Sequence, residues 1–163
     1  MLATTFVLLP LVARGQTQDP SPGGLAAAIA LDPTTYAPAV AFYVSARMDW
    51  SSSQPLFRNG FLEANPVFTI SGRPMDVALS YGAGNRRILN DAFVTLELSA
   101  MNNLIDRVSV LALSERFPQH RTLIRRLGLV ERITVASLTS YELSAAHLQQ
   151  WRTNRDLVRQ LGY

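Results

Sequence analysis

Three side chains in this sequence belong to the types that perform acid–base chemistry or bind a divalent cation: Asp49, Glu63 and His147. Carboxylate oxygens and an imidazole nitrogen are common ligands of divalent metals, and a carboxylate with a histidine can act as an acid–base pair. The spacing contains no HExxH signature and no second histidine four residues away, so it indicates no particular metal. The sequence favours a structural interpretation, in which Asp49 and Glu63 bond backbone around a turn and His147 bonds between helices.

Other catalytic chemistries find little support. The serines that follow Asp49, at positions 51 to 53, lack the Gly-x-Ser-x-Gly turn of a seryl nucleophile, and the chain has only two histidines to serve as a base. All 15 basic side chains are arginine, and there is no cysteine. These absences exclude a Schiff-base or P-loop lysine, a thiol nucleophile, a disulfide and a thiolate-bound metal. We therefore expect no cofactor and favour a protein that is not an enzyme.

The arginines are unevenly distributed. Residues 115 to 163 hold eight arginines and four acids, whereas residues 1 to 114 hold seven arginines and eight acids. Four residues in the basic part are candidates for a surface that binds an anionic partner: Arg121, Arg125, Arg126 and Arg132. Lipid headgroups are the candidate partner, and interleaved acids argue against nucleic acid. The favoured interpretation of these arginines is a solvated or protein-facing helix surface.

Helical patterns dominate the elements that must position these residues. Pro38 suits the first turn of a helix that we expect to end at Pro55, and Asn65 is a candidate N-cap before Pro66. We expect a short helix from Pro74 to Tyr81 and a break at residues 82 to 85. Apolar residues then recur every three or four positions from Leu89 to Leu111 and from Leu123 to Leu148. The sequence therefore predicts an all-α fold, a small bundle of about four helices with a long C-terminal helix.

Two asparagines, Asn102 and Asn103, interrupt the first of these long helical patterns. Polar amides in the middle of a helix are expected to hydrogen-bond across to another helix or to mark a local irregularity.

The N-terminal part has a different composition. Residues 1 to 13 carry no charge and end in small residues, which is typical of a secretory signal or a short anchor at residues 1 to 15. Retention as a buried or membrane-resting segment is the alternative. Residues 16 to 38 are rich in proline and glycine and predict a linker, and residues 39 to 163 form the helical domain. An exported protein, periplasmic or associated with the inner membrane, is the expected result.

Charged residues make up only 17% of the chain, below the ~25% of average proteins. The longest uncharged runs, at residues 1 to 13 and 33 to 46, are shorter than the roughly 20 residues that a transmembrane helix needs. This pattern favours a soluble or surface-bound bundle over a membrane-spanning one.

Two short motifs resemble small bacterial envelope proteins that are mostly uncharacterised. One is Asp49 followed by serines on a helix, and the other is the Gly-x-x-Glu-x-Asn-Pro turn from Gly60 to Pro66. Weaker similarity lies around His147 and Asn154. The resemblance implies a membrane helix bundle and directs attention to a polar cluster of Asp49, Glu63, Asn65 and His147.

We therefore expect a non-enzymatic accessory or structural protein of the bacterial envelope, packed against a membrane-associated assembly. A membrane surface or a membrane-protein complex is the expected partner, and neither nucleic acid nor a small-molecule substrate is expected. The alternatives are a small metal-dependent enzyme that uses Asp49, Glu63 and His147, and a helical protein that binds anionic lipid.

Overall fold

The computed structural model describes residues 22–163. In this part of the chain the helices are α1 (Pro22–Ala30), α2 (Pro33–Arg58), α3 (Tyr81–Arg116) and α4 (Arg121–Leu161), with single 3₁₀ turns at Pro66–Phe68 and Pro118–His120. The all-α prediction is confirmed, and so is the long C-terminal helix. The number of helices is corrected: three long helices, α2, α3 and α4, form the bundle instead of about four, and α2 packs against both of the others.

Helix α2 is longer at both ends than the sequence predicted. Asp32 is its N-cap, and its side chain accepts a hydrogen bond from the Thr34 N–H at 3.0 Å. Pro33 occupies the first turn, where the missing N–H costs nothing, so the helix begins five residues before Pro38. The helix also continues through Pro55 to Arg58, and in this last turn Leu56 is buried and the Phe57 ring packs on the Trp50 ring.

The segment predicted as a linker, residues 16 to 38, is helical over most of its described part, because α1 begins at Pro22 and α2 at Pro33. The signal-like or anchor segment predicted at residues 1 to 15 lies outside the described residues.

The connection between α2 and α3 contains one confirmed prediction and one wrong one. Asn65 caps the 3₁₀ turn, with its side chain accepting from the Val67 N–H at 3.1 Å. The helix predicted from Pro74 does not form, because this stretch pairs its backbone with the earlier half of the connection. The bridges join Glu63 to Asp76 and Thr69 to Ala78.

Helix α3 begins where a break was predicted. Ser80 is its N-cap, accepting from the Ala83 N–H at 3.3 Å, and the two glycines of the predicted break lie in the first turn. Gly84 is buried there because its backbone packs directly on the Trp50 indole. The helix ends at Arg116, and Phe117 is its C-cap before Pro118.

The described part of the bundle buries as many polar side chains as hydrophobic ones, unlike an ordinary soluble protein. In residues 23 to 163, seven buried side chains are hydrophobic and seven are polar, and only Trp50, Leu56 and Ile88 among the hydrophobic ones are large. The apolar patterns that predicted α3 and α4 lie mostly outside: Phe93 is 57% exposed, Leu127 58% and Leu138 56%. Soluble domains bury such large apolar side chains preferentially. The exposed apolar faces of α3 and α4 are therefore typical of surfaces that contact a partner or a membrane.

Candidate functional site

A polar cluster joins α2 to α4 through Asp49. Of the four residues of the predicted cluster, it contains Asp49 and His147. His147 Nδ1 of α4 lies 2.9 Å from Asp49 Oδ2. The Asn154 side-chain amide, seven residues further along α4, donates to Asp49 Oδ1 at 3.2 Å, to Ser52 Oγ at 3.2 Å and to Ser53 Oγ at 2.8 Å. Positions seven apart share one face of a helix, so a single face of α4 holds both partners of Asp49.

The other two residues of the predicted cluster serve the local turn. The Glu63 carboxylate accepts from the Asn65 backbone N–H at 2.7 Å, and the Asn65 side chain is committed to its capping bond. Both therefore belong to the α2–α3 connection. No group of three histidine or acidic side chains is placed to hold a metal ion within the described residues.

The serines of the cluster are engaged in backbone hydrogen bonds. Ser52 and Ser53 donate their hydroxyls to the Asp49 carbonyl at 2.7 and 3.1 Å, and both accept from Asn154. Neither hydroxyl is directed at the imidazole, which packs edge-on against the Phe42 ring with centroids 5.7 Å apart. What this geometry can do is fix the position of α4 on α2, because each buried polar group meets a partner on the facing helix.

A second interhelical contact confirms the expectation for Asn103. Its amide is buried and donates to Thr35 Oγ1 at 2.7 Å and to Thr34 Oγ1 at 3.0 Å, both on α2. Asn102, the preceding residue, is exposed and makes no comparable contact.

The predicted anionic-partner surface loses one member. Arg132 is nearly buried and forms ion pairs with Asp106 of α3 and with Asp32 at the start of α2, the latter at 3.5 Å. Arg107 pairs with the same Asp32 carboxylate at 2.5 Å. Arg132 thus joins all three long helices and is not available to a partner, while Arg121, Arg125 and Arg126 are exposed.

Sequence reasoning missed a group at the outer edge of α2. The Tyr81 hydroxyl lies 3.3 Å from Ser51 Oγ and 3.5 Å from an Arg47 guanidinium nitrogen. Hydrogen bonds from Ser51, Asn85 and Arg47, in that order of size, lower the pKa of Tyr81 from 10.0 to about 8. The available signal was the spacing of Tyr43 and Arg47, which places an aromatic ring and a guanidinium on adjacent turns of one helix face.

The two tryptophans have different surroundings. Trp50 is a core residue, 4% exposed, whose indole N–H donates to the Tyr81 carbonyl at 3.2 Å. Trp151 lies at the α2–α4 surface with the Arg155 guanidinium 5.0 Å from its ring centroid.

Fold and contacts together define an all-α bundle of three long helices that are joined by buried polar side chains. No protein-family model matches the chain, and no curated protein or solved structure gives a significant match to it.

Proposed function

We propose that this chain is a non-enzymatic structural or accessory protein of the bacterial envelope, with its helices packed against a membrane or a membrane-associated assembly. The observation that carries the proposal is the burial pattern: buried polar side chains join the helices, and large apolar side chains lie exposed on the outer faces of α3 and α4. Membrane helix bundles use small and polar residues between helices, because lipid removes the driving force for burying large apolar ones.

The helical stretch Gly23–Arg58 adds support. It contains an 18-residue window with a mean hydropathy of 1.2, long and apolar enough to cross a membrane, although signal sequences and core helices meet the same criterion. Only 17% of that window is buried inside the structure. A core helix would be mostly buried, so this stretch also offers apolar surface to something outside the chain.

The polar cluster supports a structural role for the motif residues. His147 and Asn154 both bond to Asp49 across the α2–α4 contact, and Asn154 also bonds to two serines, which accounts for the chemistry of these residues without a substrate. Asp49, His147 and Asn154 are also among the residues on which the resemblance to bacterial envelope proteins depends. Under this proposal their role is to align α2 and α4.

Cell fractionation tests the proposal. The tagged full chain, expressed in a bacterial host, is expected in the membrane fraction and is expected to be released by detergent but not by high salt. Recovery as a soluble monomer would refute the membrane role.

A matched pair of variants tests the apolar faces directly. Replacing Leu98, Leu127 and Leu138 with glutamine should move the chain out of the membrane fraction, because these side chains are more than half exposed. Replacing the same three with methionine keeps the faces apolar and should leave the distribution unchanged. If the glutamine variant folds, as judged by its helical circular dichroism, and still sediments with membranes, the faces are not the contact.

A further inference from the structure

A cavity of about 690 Å³ lies on the surface between α2 and α4. We name it the arginine groove: Val44, Met48 and Trp151 supply apolar walls, and Arg47, Ser51 and Arg155 supply polar groups. Its volume falls within the range typical of small-molecule sites, roughly 300 to 1,000 Å³. The groove adjoins the Asp49 cluster, because Ser52, which accepts from Asn154 in that cluster, also lines the groove.

The two arginines of the groove carry charge that no acid in the described residues neutralises. The Arg47 guanidinium donates to the Tyr43 hydroxyl at 3.0 Å and lies 3.5 Å from the Tyr81 hydroxyl, and both partners are neutral in the protonated form. Arg155 stacks on the Trp151 ring. Neither arginine belongs to an ion pair of the described chain, whereas Arg107 and Arg132 do.

We propose that the arginine groove binds the headgroup of an anionic phospholipid. Guanidinium forks match the oxygen geometry of a phosphate, and the apolar walls offer contact to the glycerol and the first methylenes of the chains. An inorganic phosphate would leave the apolar walls unused, so the lining fits an amphiphile better than a free ion. The inference rests on the proposed membrane association and identifies one lipid contact within it.

Fluorescence quenching of Trp151 provides the test. The purified full chain in an uncharged detergent is titrated with phosphatidylglycerol that carries brominated acyl chains, which quench nearby indoles. The other tryptophan, Trp50, is buried, and a Trp151→Phe variant gives the background to subtract. We expect saturable quenching by phosphatidylglycerol and none by brominated diacylglycerol, which lacks the phosphate.

The variants separate a built site from diffuse attraction. The R47Q/R155Q double variant should bind phosphatidylglycerol about tenfold more weakly, since both charge-assisted contacts are lost. The R58Q/R73Q double variant removes the same charge from exposed positions outside the groove and outside the predicted anionic-partner surface, and should change the affinity less than about twofold. Equal losses in the two double variants would overturn the proposal, and so would displacement of the lipid by equimolar inorganic phosphate.

A single substitution at Val44 tests the same groove independently, in case the R47Q/R155Q variant does not fold. Val44 is 49% exposed on the groove wall, so Val44→Glu should leave the helical content intact while placing a carboxylate where the phosphate would lie. Lipid binding should again fall about tenfold by charge repulsion. Retained quenching in a folded V44E chain would refute lipid binding in the groove and would leave the proposed membrane association intact. Recovery of the wild-type chain as a soluble monomer would instead refute the membrane role.

Discussion

His147 Nδ1 on α4 lies 2.9 Å from Asp49 Oδ2 on α2, across a separation of 98 residues in sequence. Asn154 reaches the other oxygen of the same carboxylate from two turns further along α4. A one-residue rotation of α4 would break both bonds together, so the pair sets the rotation of the longest helix on the central one. The large apolar residues, which lie mostly outside, contribute little to that choice.

Removing the Asn154 amide should destabilise the bundle. Asn154→Ala leaves the Asp49 carboxylate with one fewer donor and leaves Ser52 and Ser53 without their shared partner. An unsatisfied buried polar group costs about 1–3 kcal/mol, and we expect a loss of free energy of unfolding in that range. Denaturant unfolding followed by circular dichroism measures it. Asn102→Ala on α3 is the control, since Asn102 is exposed, and a loss as large as that of N154A would contradict the role given to the cluster.

The fold class followed from the sequence because helical periodicity is a local property. Apolar residues every three or four positions predicted α3 and α4, and the mid-helix amide of Asn103 pointed to a contact with another helix. Which side of each helix faces the other helices depends on contacts between distant parts of the chain, so the local pattern did not determine it. Leu127 and Leu138 belong to the apolar pattern that predicted α4, but the buried residues of α4 are Gly128, Ala136 and Asn154, which a hydropathy pattern does not distinguish.

The candidate site was predictable in part for a similar reason. Asp49 and His147 were identified by residue type and by resemblance, and the fold brings them together. Arg132 looked like its exposed neighbours Arg125 and Arg126, because its two acidic partners lie on other helices. Pro55 was a wrong prediction of a helix end, because α2 continues through it to Arg58. Gly84 was a wrong prediction of a break, because it lies within α3 and its missing side chain allows close packing on Trp50.

The contact between Gly84 and Trp50 predicts opposite behaviour for two glycines in the same turn. A Cβ at Gly84 would lie 2.5 Å from the Trp50 indole nitrogen, within the core, where nothing can yield without moving the ring. Gly84→Ala should therefore lower the free energy of unfolding by about 1–3 kcal/mol, the usual cost of overpacking. The nearest atom at Gly82 is an Arg86 nitrogen at 3.8 Å, an ordinary contact. Gly82→Ala should be neutral or slightly stabilising, and equal effects from the two alanines in thermal unfolding would disprove the packing argument.

The ion pairs at the start of α2 should be worth more than those on the surface. Asp32→Asn preserves a capping oxygen for Thr34 but leaves Arg107 without its carboxylate and Arg132 with only Asp106. Because these side chains are at most 20% exposed, the loss should be about 2 kcal/mol, toward the range for broken buried pairs. The exposed pair of Asp156 and Arg159 is the comparison, and Asp156→Asn should cost less than about 0.5 kcal/mol. Denaturant unfolding of both variants measures the two losses of free energy of unfolding. A loss under about 0.5 kcal/mol for Asp32→Asn would show that the partly buried ion pairs are worth no more than the exposed one.

Tyr81 should ionise near pH 8, well before an ordinary tyrosine. Hydrogen bonds from Ser51, Asn85 and Arg47 favour the phenolate and lower the pKa of Tyr81 to about 8. The ultraviolet absorbance of phenolate, measured against pH and compared with a Tyr81→Phe chain, isolates this group from the other four tyrosines. Since the folded pKa lies below the unfolded value near 10, ionisation stabilises the folded state as pH rises from 8 to 10, and this contribution is lost as pH falls through 8. Ser51→Ala should move the titration back toward 10, and a wild-type transition that already lies near 10 would show that these hydrogen bonds do not favour the phenolate.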